Sequence, residues 1–380
     1  MVLDRELISK LRDKVNESEF VYNTYKNIDG RNKWNCICSS MDWIDVSVDF
    51  INSDWNKSNE VNIKCMNFFT YISSINVLWE AIEQLHRVFI NHKSIPFKGN
   101  SYIFRAKINS EDDNDYFKTI RACFGAHPVN LVEPSDPNAK SRKRFASWPY
   151  EDSFLSNYNN FSVRLYSNQI NTEDLYLGIN IDELNAFVLE RYNYINEIIK
   201  VIDRQYEDFQ LKYRKMKISK SNDIVEQLNI LMLEAKNRQA EEYEYIIKNI
   251  LNIYKVDSIN SNNKNVLDKY KVDLEVVVQE IYSRLQSMDF RELETNSIIK
   301  PKCPNGLYHS YEKLNNAMCG SSELYDFEPI AEYLKDIIDF SDVISLEELY
   351  ALTLAGFYIL REEYNLFMRG IEYESEKRRK

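Results

Sequence analysis

From residue 62 to residue 90 the chain runs without a glycine or a proline, and apolar side chains recur at Phe68, Ile72, Ile75, Trp79, Ile82 and Phe89. Steps of three, four and seven match the turn of an α-helix. Tyr71, Leu78 and Leu85 widen the stripe enough for it to be covered on two sides. A rod of this length dictates how its neighbours pack, and nothing in the rest of the chain opposes more of the same. Glycine and proline number only eight each in 380 residues, which leaves helices uninterrupted and argues against an all-β fold. The expected class is mainly α: a helical bundle with a small β-hairpin, a long antiparallel helical hairpin and a helical C-terminal module.

Taken in order, Leu3, Leu7, Ile8, Leu11 and Val15 predict an opening amphipathic helix. Residues 34–50 read as a second helix, with a strand over 46–51 as the competing reading because Val46, Val48 and Phe50 alternate with polar neighbours. Residues 129–150 show no periodicity and contain Pro134, Pro137 and Pro149. Alternation over 161–166 and 175–179 predicts a β-hairpin. Two long helices are expected over 182–216 and 223–254, joined by a Lys, Ser and Asn turn into an antiparallel hairpin. Residues 258–265, rich in Ser and Asn, read as a linker. Beyond it, residues 268–288, 307–318, 328–340 and 345–374 predict a helical module, its last helix opened by Ser345 and Glu348 as a capping box. The expected division is therefore 1–180, 181–257 and 266–380.

With 44% hydrophobic and 28% charged residues, a chain of this size buries a real core without staples. The six cysteines, Cys36, Cys38, Cys65, Cys123, Cys303 and Cys319, show no C-x-x-C spacing, and His86, His92, His127 and His309 show no H-x-x-x-H spacing. No metal and no cofactor are expected. Asp112, Asp113 and Asp115 precede a helix, where carboxylates complement its positive end. Charges interrupt the first fifteen residues too often for a secretory segment, so a cytoplasmic protein is expected. No apolar run approaches the ~20 residues that span a bilayer. Phosphate loops, nucleophile elbows and dinucleotide fingerprints are absent. Net charge is −11, yet residues 96–150 carry nine Lys and Arg against six Asp and Glu, a local +3 that leaves −14 for the remainder. Such a distribution excludes non-specific coating of nucleic acid and allows a local contact.

That basic region holds the chemistry. Phe117, Ile120 and Phe124 lay one apolar stripe along a helix, with Arg121 at its edge, and His127 and Pro128 follow. On an unbroken helix Arg121 and His127 would point about 120° apart. Gly125, as a left-handed cap, and Pro128 are expected to end the helix and bring the two to one target. An arginine followed after five residues by histidine resembles the signature of the HEPN family, helical ribonucleases and nucleic-acid-associated proteins, over residues 62–147. The resemblance implies a HEPN-like helical domain with Arg121 and His127 as the catalytic pair. It also implies an acidic residue of the preceding long helix beside the arginine, Glu80 or Glu83.

The further implication is an endoribonuclease that works without metal by attack of the RNA 2′-OH, acting as a homodimer in a toxin or anti-phage setting, with an antitoxin or regulatory protein as a second partner. Beyond His127, Lys140, Arg142, Lys143 and Arg144 lie next to Phe145, Trp148 and Tyr150. Cations beside rings suit phosphates and bases of a single strand, so Lys140, Arg142, Lys143, Arg144, Trp148 and Tyr150 are the expected RNA contacts. The competing reading is a non-catalytic helical scaffold or RNA-binding regulator with a degenerate motif, in which Arg121 pairs structurally, His127 caps a helix and the basic loop is merely solvated. Ala122, where family members often carry a polar residue, is the feature that favours it.

Overall fold

The computed structural model describes residues 2–108, 112–126, 129–132, 142–151, 159–320 and 326–379. It is mainly helical with a small antiparallel sheet, and its contacts divide it into two units, Met1–Glu207 and Asp208–Lys380.

The first unit begins with helices α1 (Arg5–Asn16), α2 (Phe20–Tyr25), α3 (Trp34–Ile51) and α4 (Val61–Phe89). Residues 46–51 stay helical, so the strand alternative for them falls. The long rod α4 packs against α3 along much of its length, as its broad apolar face requires. Helix α5 (Asp113–Arg121) runs into a π-helical turn, Ala122–Ala126. Strands β1 (Leu131–Val132), β2 (Lys143–Ala146), β3 (Tyr150–Glu151), β4 (Phe161–Ser167) and β5 (Leu175–Ile179) follow, then helix α6 (Ile181–Asn193). Helix α7 (Ile195–Lys215) starts in this unit and ends in the next.

All strand pairs are antiparallel, with β2 and β3 one after the other along one edge of β4 and β5 on its other edge. The expected hairpin is present as β4 and β5. Residues 129–150, read as aperiodic, nevertheless supply three further strands in their described parts. The inner side chains Phe161, Val163, Leu165, Leu177 and Ile179 are buried. Phe68 of α4 stacks on Phe161 with ring centroids 4.2 Å apart and meets Phe124 of the π turn edge-on at 5.5 Å. One side chain thus ties the rod to the sheet and to the π turn.

Asp113 fixes the start of α5. Its neighbour Asp112 is the N-cap, accepting the Asp115 N–H at 2.9 Å. The fully buried Asp113 carboxylate accepts the N–H groups of Tyr102, Ile103 and Phe104 and pairs with Lys107 Nζ at 2.7 Å. Burial pushes its pKa up, but the Lys107 ammonium and the backbone donors outweigh burial, and the net shift is downward. On the other side, Arg191 of α6 is buried against Phe187 and Phe97, at 3.8 and 4.8 Å from their centroids, and donates to Asn114 Oδ1 at 2.9 Å.

The regular elements among the described residues of the second unit are all helices: α8 (Ile224–Asn237), α9 (Glu241–Lys255), α10 (Ser261–Ser287), α11 (Asn296–Ile299), α12 (Tyr308–Met318), α13 (Glu328–Leu334) and α14 (Leu346–Arg379). Leu228, Leu231, Ile247, Leu274, Ile281 and Leu352 are among its fully buried core. Ser345 Oγ accepts the Glu348 N–H at 3.1 Å, the expected helix-opening bond.

Three expectations about organisation change. The helix predicted over 223–254 is two helices, because Gln239 takes a left-handed backbone, φ 59°, beside the buried Arg238. The helix predicted over 182–216 divides at Tyr194, and its halves α6 and α7 stand on the first unit and across the unit boundary, so 181–257 is no separate hairpin. The linker expected over 258–265 is the start of α10. Asn260 caps it by accepting the Asn262 and Asn263 N–H groups, and the buried Asn263 exchanges two bonds with the Asp339 backbone. Asn is a poor helix former and a strong N-cap, so the same composition serves both readings. Among the described residues no helix is long and apolar enough to cross a membrane.

Replacing Asp113 by Asn would remove the buried carboxylate that pairs with Lys107 and accepts three backbone N–H groups. We expect a loss of about 3–5 kcal/mol in urea unfolding at pH 7. Because the folded-state pKa is lowered, the carboxylate stabilises the fold above its unfolded value of about 3.9. That contribution disappears as pH falls through the lowered value, so the gap between wild type and Asp113→Asn should close only in strong acid.

Candidate functional site

The junction of α5 with the π turn carries the residue at the centre of the predicted site. Tyr116, Phe117 and Ile120 bury one face of α5, and Phe117 stacks on Phe187 of α6 with centroids 4.6 Å apart. That orientation leaves Arg121 at the edge of the buried face, 42% exposed, where its Nη1 lies 3.6 Å from Glu80 Oε1 on α4. Of the two carboxylates considered, Glu80 is therefore the one beside Arg121. Glu83 sits with 14% of its side chain exposed and accepts from Arg87 Nη2 at 3.1 Å, one turn along the same helix. Burial raises the Glu83 pKa, with Arg87 opposing.

After Arg121 the helix does not end at Gly125. It widens into the π turn, and Gly125 keeps a helical backbone without positive φ. Its lack of a side chain serves close packing instead: a Cβ there would fall well inside contact distance of the Phe69 ring on α4. The expectation of a left-handed cap is thus corrected, and the glycine is required for a different reason. Cys123, buried in the turn, has its thiol pushed up to about 12 by desolvation, which leaves it a neutral packing group. Single π turns concentrate at functional sites because they displace one residue's side chain from the regular ladder. His127, next in sequence, lies outside the described residues, as does Lys140.

A cleft of about 340 Å³ between α3 and α4 reaches Glu80, with Trp43, Ser39, Ser40 and Gln84 on its walls. Trp43 is 55% exposed there.

The expected RNA contacts separate on inspection. Arg142 is exposed just before β2, and Lys143 begins that strand. Arg144 is 3% exposed, and its Nη1 donates to the carbonyls of Leu165 and Glu173 at 3.1 and 2.7 Å. It locks the sheet from inside, so the phosphate contact expected of it is closed off by burial. Trp148 is exposed in the connection to β3, and Tyr150 in β3 pairs with Ser162.

Sequence reasoning missed what the register assembles on the outer face of the sheet. Phe145 stands opposite Tyr166, and Arg164 opposite Tyr176, all of them exposed. Only the alternation of 161–166 hinted at this, since it set Arg164 and Tyr166 on the polar side. His86 of α4 is a second case, a histidine that serves packing. It is 4% exposed, held by Tyr194 Oη and Ser94 Oγ at 2.8 Å each, and burial lowers its pKa. Among the described residues no three His, Cys, Asp or Glu side chains converge as a metal site would require.

Comparison of the chain with protein-family models, with curated proteins and with solved structures finds no match in any of the three.

Gly125→Ala should test the close approach to Phe69. The half-buried ring has some room to move, so we expect a cost of about 1–2 kcal/mol in thermal or urea unfolding. An unchanged midpoint would mean that the π turn does not depend on that contact.

Proposed function

We propose that the chain is a metal-independent endoribonuclease of HEPN type, cleaving RNA through its own 2′-OH. The observation that carries this reading is the placement of Arg121 at the mouth of a π turn, half-exposed and loosely held by Glu80. At 3.6 Å the pair is longer than a normal N–H···O bond of about 2.7–3.2 Å. Exposed pairs of this kind contribute about 0–1 kcal/mol. A phosphodiester can therefore replace Glu80 on the guanidinium at small cost, while Glu80 keeps the fork oriented in its absence.

In the proposed reaction the planar guanidinium of Arg121 binds the non-bridging oxygens of the scissile phosphate. The 2′-oxygen attacks phosphorus, its proton leaves to a base, and the bond to the 5′-oxygen breaks as that oxygen gains a proton. His127, directly after the π turn in sequence, is assigned the proton transfers, a role suited to an imidazole near neutral pH. The products are a 2′,3′-cyclic phosphate and a 5′-hydroxyl. Charge that develops on the phosphate oxygens is met by Arg121.

The wider reading follows the same resemblance: a homodimer that brings two Arg and His pairs into one cleft, working in the cytoplasm as a toxin or anti-phage effector, and restrained by an antitoxin or regulatory protein. Glu80 serves as a positioning residue.

Cleavage of a labelled single-stranded RNA by purified variants tests this. Arg121→Ala and His127→Ala should each lower the rate by about 100-fold or more, whereas Glu80→Gln should lower it by less than about tenfold. Either alanine variant cutting at the wild-type rate would overturn the assignment and leave the helical scaffold as the better reading.

A further inference from the structure

The outer face of the sheet differs from what an antiparallel sheet with one covered side requires. Its inner face is apolar and buried, so small polar residues would suffice outside. Instead β2, β4 and β5 present Phe145, Tyr166 and Tyr176, which are 40%, 42% and 57% exposed. Scattered exposed rings carry no message, but three on one continuous face form an apolar surface that water does not favour.

Two of the rings flank a cation. Arg164 on β4 has its guanidinium 5.4 Å from the Tyr166 centroid and 5.6 Å from that of Tyr176. Both distances fall within the roughly 6 Å at which a cation is attracted to a ring face. Asp174 holds the group by bonds to Nε and Nη2 at 2.8 and 2.7 Å, which leaves Nη1 for an incoming anion. Lys143 lies on the same side of β2 as Phe145, because side chains two apart share a face. Tyr166 and Tyr176 are diagonal neighbours in the β4 and β5 register, a spacing of about 7–8 Å between side-chain roots. That is about twice the ~3.4 Å rise of stacked bases, and it suits bases splayed apart on separate rings. At one end of the face lies a cleft of about 780 Å³ whose lining includes Tyr150, Ser162, Tyr176, Gly178 and Lys107.

We infer that this sheet face binds single-stranded RNA, with bases laid on Tyr166, Tyr176 and Phe145 and phosphates on Arg164 and Lys143. Charge complementarity selects the occupant: the cations Lys143 and Arg164 stand among the rings, and Asp174 is committed to orienting Arg164. An anion with flat, repeated apolar faces fits both features, and a single strand supplies it, whereas a duplex hides its bases. The inference deepens the proposed nuclease reading and rests on it for the choice of RNA as substrate. Phe68 joins the two parts, touching Phe161 of this sheet and Phe124 of the π turn.

The test is fluorescence anisotropy with a labelled single-stranded RNA of mixed sequence, using full-length Arg121→Ala protein so that the probe survives. In that background Tyr166→Ala and Tyr176→Ala should each weaken binding about tenfold, as loss of one stacked base predicts. Tyr166→Phe should bind within about twofold of the parent, since the ring persists. Arg164→Gln should lower the slope of log affinity against log salt by about 0.7. Equal urea midpoints for the Ala and Phe variants separate lost binding from lost folding. RNA bound as tightly by the tyrosine-to-alanine variants as by the parent, or a duplex bound as tightly as the single strand, would overturn the proposal. Either result would turn attention to a protein partner for this face. Failure of the nuclease reading looks different: His127→Ala in an otherwise wild-type chain would cut RNA normally, while the tyrosine variants still lost binding.

Discussion

Phe68 is the contact on which the arrangement of the first unit depends. Its ring lies flat against Phe161 and edge-on to Phe124, and Trp55 approaches it at 6.1 Å. Each aromatic pair adds about 0.5–1.5 kcal/mol beyond simple burial. More important than the energy is the geometry, since a stacked and an edge-on partner together fix the rotation of α4 against both the sheet and the π turn. Arg121 inherits its position from that rotation: α4 also carries Glu80, one face of the rod meeting Phe124 while another meets the guanidinium.

The helices were readable because their signal is long. Twenty or more residues at one period define α4, α10 and α14 whatever the neighbours do. Boundaries and short strands were less accessible. Strands β1 and β3 have two residues each, too few for alternation to register. Arg144 misled in a specific way: among four cations it reads as solvated, and only the register shows that its side chain turns inward to two carbonyls. The Asn-rich start of α10 misled by composition, because capping and linking draw on the same residues. Glu83 carried an unused signal. Its spacing of four to Arg87 already favours an intrahelical pair, which would have left Glu80 as the residue for Arg121.

Gly125 illustrates how a sequence feature can be read as necessary for the wrong reason. A left-handed cap and a close ring contact both demand a residue without Cβ, and the sequence alone does not distinguish them. The difference matters for the site. A cap would end the helix before His127 with a reversal of direction, whereas the observed π turn extends it by five residues in a wider turn of i→i+5 bonds. Buried His86 and Cys123 show the complementary point, that groups with reactive chemistry become packing elements when desolvation holds them neutral. The half-exposed Arg121 is the contrasting case, reachable and only loosely paired.

The proposed reaction needs no metal because the nucleophile belongs to the RNA. Its most direct measurement is the chemistry of the ends left when the purified protein acts on single-stranded RNA in excess EDTA. The account predicts continued cleavage, a 2′,3′-cyclic phosphate on the upstream fragment and a 5′-hydroxyl on the downstream one. Cleavage abolished by EDTA, or an upstream fragment ending in a free 3′-hydroxyl, would contradict it.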